Sequence, residues 1–140
     1  MGTPVTQHAA LCFRQGEAGR TEVLLVTSRD SGRWVLPKGW PKKGEGGGQC
    51  ALREAGEEAG VVGKLVDLHP AAYYFYDKAM RSGPPLPCSV GVHPVSVQYL
   101  DFDFPEMHQR RREWFTTDQA AAAVAEPDLK EVLARFELPR

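Results

Sequence analysis

Short apolar runs, a single helical repeat and then more short runs divide this chain. Residues 7–13 and 22–28 are apolar stretches flanking the turn-like segment 15–20, and they predict two strands. Trp34-Val35-Leu36 reads as a brief extended piece stopped by Pro37. Residues 37–48 hold two prolines and five glycines and predict a loop. A helix is expected from about Gly48 to Ala59, with Gly60 as its terminating glycine. Extended segments are expected again at Leu65–Tyr76 and Ser89–Leu100. In the second, Val90, Val92, Val95, Val97 and Tyr99 stand out, and Pro94 suggests an edge position or a bulge. Between them, 78–87 reads as an exposed loop with three prolines. Residues 112–116 predict a short strand, after which Thr117-Asp118 would cap an alanine-rich helix running to Val124. Pro127 opens a last helix to Phe136, with Leu129, Val132, Leu133 and Phe136 at helical spacing. This order predicts an α+β domain, a mixed sheet with helices on either side rather than regular βαβ winding. Neither a repeat nor a low-complexity linker divides residues 1–140, so one domain is expected.

Composition narrows the function. A formal net charge of −1 argues against a protein whose main task is binding nucleic-acid backbone. No apolar run is long enough to span a membrane, and no charged-then-apolar leader opens the sequence. Cys12, Cys50 and Cys88 are odd in number and lack metal-ligand spacing, which suits reduced thiols in the cytoplasm. Residues 1–6 formally fit an N-myristoylation pattern at Gly2, a short match that arises often by chance.

The helix at 48–59 changes the picture. Glu54, Glu57 and Glu58 stand at i, i+3 and i+4, on one face, while Leu52, Ala55 and Ala59 form an apolar back. Like charges so placed cost roughly 0.2–0.5 kcal/mol per pair, and Arg53 is the one cation in that run. A solvated acidic face is the plain interpretation of a bare Glu-x-x-Glu-Glu. The alternative is a site for a hard divalent cation, since Mg²⁺ binds through a few carboxylates together with water and phosphate.

The surroundings favour the second. Gly39, five residues, Glu45, seven residues, then Arg53-Glu54-Ala55-x-Glu57-Glu58-x-Gly60-Val61 fills nine defined positions over 23 residues. This resembles the signature of the Nudix hydrolases, with Ala55 standing where the family more often has a larger aliphatic residue. The resemblance implies an α/β/α sandwich with the signature as a loop–helix–loop. It also implies hydrolysis of a diphosphate linked to a nucleoside or other group, with Mg²⁺, or Mn²⁺, in the site. Carried over position by position, Glu54, Glu57 and Glu58 are the expected metal ligands, and Glu45 is metal-associated or water-mediated. Gly39 is a position that must approach metal or phosphate closely. Glu57 and Glu58 carry the chemistry, and Arg53 orients a carboxylate. Many family members place an acidic residue, as base or extra ligand, before a strand carrying Glu-Trp. Glu106 lies in that loop, with Glu113 as its rival and a signature glutamate as a third choice of base.

Arg33-Trp34-Val35-Leu36-Pro37-Lys38-Gly39 resembles members acting on diadenosine and diphosphoinositol polyphosphates, and Arg110-Arg111-Arg112-Glu113-Trp114-Phe115, followed by an alanine-rich helix, also resembles the diphosphoinositol enzymes. Both substrates are densely anionic, so Lys38, Arg33, Arg110 and Arg112 are candidate substrate contacts, with Arg14, Arg20, Arg29, Lys42 and Lys43 further possibilities. The arginines at 110–112 have a competing role as ion-pair partners of Asp101, Asp103 and Glu113. Trp40-Pro41-Lys42-Lys43 departs from the animal diphosphoinositol enzymes, which keeps nucleotide-sugar and oxidised-nucleotide hydrolases, or a catalytically silent ligand-sensing module, as alternatives. Gly39-x-x-x-x-Gly44 is not a P-loop, because Glu45 replaces the required lysine. His8, His69, His93 and His108 lack metal spacing, and Trp34 is expected in the core. The expected partner is a small phosphate-rich molecule, neither nucleic acid nor membrane, bound by a monomer or homodimer.

Overall fold

The structure, a computed structural model, describes residues 5–138; the acylation pattern at Gly2 lies outside them. Strands β1 (Val5–Gln15), β2 (Thr21–Thr27), β3 (Trp34–Val35) and β4 (Lys38–Gly39) precede helix α1 (Gly47–Ala59). After it come β5 (Val61–Leu65), β6 (Ala72–Lys78), β7 (Leu86–Leu100) and β8 (Arg112–Thr116). Helices α2 (Thr117–Ala123) and α3 (Pro127–Arg135) complete the order. All eight strands belong to one mixed sheet. Its spine runs β3-β2-β1-β7-β5, with β4 added to β1, β6 to β7 and β8 to β2. The β1–β7 pairing is parallel and the others antiparallel.

Strand alternation sorts the core into two layers. Ala9, Leu11, Phe13, Val23, Leu25, Val90 and Val92 pack against Ala120, Val124, Leu129 and Leu133 of α2, α3 and their connection. From the other face, Ala10, Cys12, Leu24, Val26 and Val95 meet Ala51, Ala55 and Ala59 of α1. The three alanines lie at i, i+4 and i+8 and are fully buried, so α1 rests close to the sheet. Ala55 is thus a contact position for which small size suffices. This sheet between helix layers is the sandwich that the signature implied.

Four expectations need correction. Leu65–Tyr76 is not one strand: β5 starts directly after Gly60, and a turn at 66–71 separates it from β6. The supposed loop 37–48 contains β4, which pairs Gly39 with His8 of β1. Thr116, not Thr117-Asp118, caps α2. Its hydroxyl accepts from the Gln119 N–H at 3.2 Å while the Gln119 side chain accepts from the Thr116 N–H. Pro94 lies within the interior strand β7, opposite Leu11 of β1. An extended residue directs its N–H and C=O to the same side, and on that side β6 ends at Val92 and β5 begins at Val95. The Pro94 carbonyl accepts from Val66 at 3.1 Å, so the missing N–H falls where one partner strand gives way to the next.

Candidate active site

Helix α1 presents the acidic face. Gly60 closes it in the left-handed region at φ +67°, and its N–H returns to Gly56 O at 3.1 Å. The Arg112 guanidinium donates to Ala59 O at 2.7 Å and stacks 4.6 Å from the Phe104 ring. Arg112 therefore satisfies one orphan carbonyl of the helix end and does not reach the cleft described next. Arg33 is exposed and likewise lies away from it.

A cleft of about 360 Å³ opens beside α1. Glu54, Glu58, Glu106, Gly39, Lys38, Arg53 and Arg110 all line it. Glu45 and Glu57 adjoin it through Arg53. That guanidinium takes Glu45 with two arms (Nε–Oε2 2.8 Å, Nη2–Oε1 2.9 Å), Glu57 at 2.8 Å and Glu54 at 3.3 Å. It also donates to the Trp40 carbonyl at 3.1 Å. Arg53 thus ties the loop to the helix and relieves the crowding of the acidic face. The bond from Arg53, with a second from the Lys42 N–H, holds the Glu45 carboxyl down at about 2. Gly39 is required for space as well: a Cβ there would collide with Glu54 Oε2.

Glu58 is 6 % exposed. One carboxyl oxygen accepts from the Lys38 N–H at 3.3 Å, and the other lies 3.7 Å from Arg110 Nη2, beyond hydrogen-bond length. Burial pushes its carboxyl up to about 8, against the pull of Arg110 and with Glu54 and Glu106 adding to the rise. Burial also raises Glu54. Of the two rivals, Glu106 lines the cleft, whereas Glu113 is exposed on β8 and pairs with Arg111 at 3.7 Å. Glu106 is held by Arg110 Nε at 2.8 Å, and its N–H donates to Glu57 O at 3.0 Å, docking the 101–111 segment on α1.

The donor set fits a hard divalent cation. Glu54 and Glu58 are under-compensated oxygen donors facing one cleft, and no soft ligand joins them there. Among the described residues no three His, Cys, Asp or Glu side chains already form a metal cage. Mg²⁺ binds through one or two carboxylates and fills its remaining positions with water and substrate phosphate, so two carboxyls facing one cleft are a sufficient protein contribution.

Several lining residues had escaped the sequence reading. Gln7, 4 % exposed, lines the cleft and accepts a hydrogen bond from the Tyr76 hydroxyl at 2.5 Å. The Lys38 ammonium sits 5.4 Å from the Tyr76 ring, and burial lowers its pKa, with Glu58 and Glu126 opposing. Lys78 and Trp40 complete this wall. Only the pairing of β1 and β6 with β7, and of β4 with β1, gathers them, and no local motif carries that. Trp34 packs edge-on against Phe115 at 5.0 Å, as expected of a core residue. His8 and His93 form a pair (Nδ1···Nε2 3.0 Å) beneath the start of α1. A larger cavity, about 570 Å³ between the 66–71 turn and α3, contains none of the signature residues.

With this geometry in place, comparison with known proteins gives a consistent result. Human diphosphoinositol polyphosphate phosphohydrolase 3-beta is 37% identical over 113 residues, covering 80% of this chain and 64% of that protein. Nudix hydrolase 16, mitochondrial, of Arabidopsis thaliana is 32% identical over 120 residues, 84% of this chain and 66% of that one. The matches thus span just under two thirds of these relatives' own length. Among solved structures, a C. elegans Ap4A hydrolase superposes with a TM-score of 0.69 at 21% identity, covering 96% of both chains. The E. coli dihydroneopterin triphosphate pyrophosphohydrolase gives 0.68 at 15% identity, covering 94% of this chain and 93% of that one. At such identities these two establish the fold alone. The NUDIX domain model matches residues 5–136, and the chain belongs to that family.

Proposed function

We propose that this protein is a divalent-metal-dependent hydrolase of diphosphate linkages in small, phosphate-rich molecules. Dinucleoside polyphosphates and diphosphoinositol polyphosphates are the favoured class. The observation that carries the reading is the cleft itself: half-buried Glu54 and buried Glu58 beside Glu106, faced by Lys38, Lys78 and Arg29. Phosphoryl transfer asks for charge neutralisation and alignment more than for covalent help. Glu54 and Glu58 would hold Mg²⁺ or Mn²⁺, with Glu57 and Glu45 braced beside them by Arg53. Such a metal supplies Lewis-acid neutralisation of phosphate charge and lowers the pKa of a bound water. Gly39 leaves room for the approach. Lys38 and Lys78 place positive charge where substrate phosphates must lie. Glu106 is the candidate general base. The names of the relatives support the substrate class, and a cytoplasmic setting fits the three buried free thiols.

The deciding experiment follows product release, with substrate and products resolved by ion-exchange chromatography, from a panel comprising a diadenosine polyphosphate, a diphosphoinositol polyphosphate, ADP-ribose and a nucleoside triphosphate, with and without Mg²⁺. The reading expects metal-dependent release, with the highest kcat/KM for the polyphosphates. Equal kcat/KM across the panel would remove the substrate preference. No release from any member would favour a ligand-sensing module.

A further inference from the structure

Arg110 is only 10 % exposed, and its guanidinium spans three groups. Nε donates to Glu106 Oε1 at 2.8 Å, Nη1 donates to the Thr27 carbonyl at 3.0 Å, and Nη2 faces Glu58 Oε2 at 3.7 Å. Arg53 stands differently, fixed among Glu45, Glu54, Glu57 and a loop carbonyl. Among the described residues only Arg110 bridges Glu58 to Glu106, the buried helix carboxylate to the candidate base; Arg29 Nε lies more loosely, 3.8 Å from Glu106 Oε1.

A carboxylate confined in such a cleft without a counter-charge is strongly unfavourable, and Arg110 lies within reach of two carboxyls, Glu106 at 2.8 Å and Glu58 at 3.7 Å. A divalent cation at Glu54 and Glu58 reverses the balance. It neutralises the carboxylates that attract the guanidinium, and two cations this close repel in a site of reduced dielectric. We propose that Arg110 is the resident counter-ion of the metal-free site, in direct competition with the metal for Glu58 and Glu106. Metal loading breaks the Nε bond to Glu106 and turns Nη2 away from Glu58, while the Thr27 carbonyl keeps the guanidinium on the cleft wall. The freed fork then faces the same cleft as the substrate and suits a bidentate grip on phosphate oxygens. Metal and substrate binding become coupled, because the cation makes available the arginine that the anion needs. This inference rests on the metal-dependent reading above.

The test is Mn²⁺ binding without substrate, followed by electron paramagnetic resonance of the free ion, in wild type, Arg110→Gln and Arg110→Lys. Arg110→Gln is expected to bind Mn²⁺ roughly tenfold more tightly, since a competing charge is gone. Arg110→Lys, which keeps the charge, should stay within about twofold of wild type. An arginine that merely positions Glu106 gives the opposite sign, weaker binding in Arg110→Gln. That result, or an unchanged affinity, overturns the proposal, as does equal tightening in both variants. Should Arg110→Gln not fold, the wild-type protein answers by itself: on Mg²⁺ addition the Arg110 Nε–H resonance should shift and exchange faster with solvent. A resonance indifferent to Mg²⁺ overturns the proposal. Wild type that binds no Mn²⁺ at all would instead refute the metal-dependent reading, a separate outcome.

Discussion

Arg53 grips Glu45 with two arms, Nε to Oε2 at 2.8 Å and Nη2 to Oε1 at 2.9 Å, across the boundary between loop and helix. Only a planar guanidinium makes that fork while also reaching Glu57 and the Trp40 carbonyl. Arg53→Lys keeps the charge and loses the fork. The loop should then sit about 1 Å out of place, enough to lower turnover roughly 100-fold. Steady-state kinetics and a circular dichroism melt on the same preparation check this. A variant with wild-type turnover would mean that the loop needs no such brace.

Gly39→Ala tests the close approach of loop and helix. The new Cβ would occupy the place of Glu54 Oε2, so that carboxylate must turn away. Weaker Mn²⁺ binding is expected, together with a turnover loss on the order of 100-fold from misplacement, in a protein that still folds. Unchanged Mn²⁺ affinity would take Glu54 out of the metal site.

Tyr76 and Gln7 test the wall opposite the glutamates. The Tyr76 hydroxyl accounts for the carbonyl end of the Gln7 amide, leaving its N–H₂ end available to the cleft. Tyr76→Phe removes one hydrogen bond, worth about 1 kcal/mol. It should raise KM for a polyphosphate substrate about fivefold with little change in kcat, the mark of lost uniform binding. A fall in kcat at constant KM would place this pair nearer the chemistry.

A stability prediction concerns the buried histidine, His93. Burial lowers His93 from 6.5 to about 4, with His8 adding to the effect. Between those values the unfolded chain holds the extra proton, so the contribution of His93 to stability is full above about 6.5 and is lost as pH falls towards 4. The loss amounts to a few kcal/mol at most, from about 1.4 kcal/mol per unit. Glu58, raised by burial, runs in the opposite direction over part of the same range, and Glu45, lowered to about 2, acts only below about 4.5. The comparison is therefore urea denaturation of wild type against His93→Gln at pH 7 and pH 4.5. The gap between the two proteins should change with pH in the sense that wild type loses more on acidification. A constant gap would mean that His93 titrates normally.

Much of this was legible before folding because it is local. The spacing of Glu54, Glu57 and Glu58, the Gly60 stop and the fit of Arg53 beside them follow from helix geometry and a signature that spans 23 residues. Three cases were not local. Arg112 looked like a substrate contact because it neighbours Arg110, yet the two go to different places: Arg110, before β8, to the cleft, and Arg112, the first residue of β8, to a helix end 53 residues away. Pro94 reads as an edge residue unless it is known that two successive partners, β6 and β5, meet beside it. Gln7 and Lys78 acquire a role only through the pairing of distant strands, which no periodicity in either segment reveals.

The central claim is that the cleft at α1 holds a metal which performs diphosphate hydrolysis, and Glu58→Gln tests it most directly. Glutamine keeps the shape of a buried carboxyl that burial already disfavours as a charge, so the metal-free melting temperature should hold or rise. Mg²⁺-dependent product release from a polyphosphate substrate should meanwhile fall by orders of magnitude, since a metal-held interaction of this kind is worth several kcal/mol. Undiminished Mg²⁺-dependent release in a normally folded Glu58→Gln protein would contradict the assignment of the site.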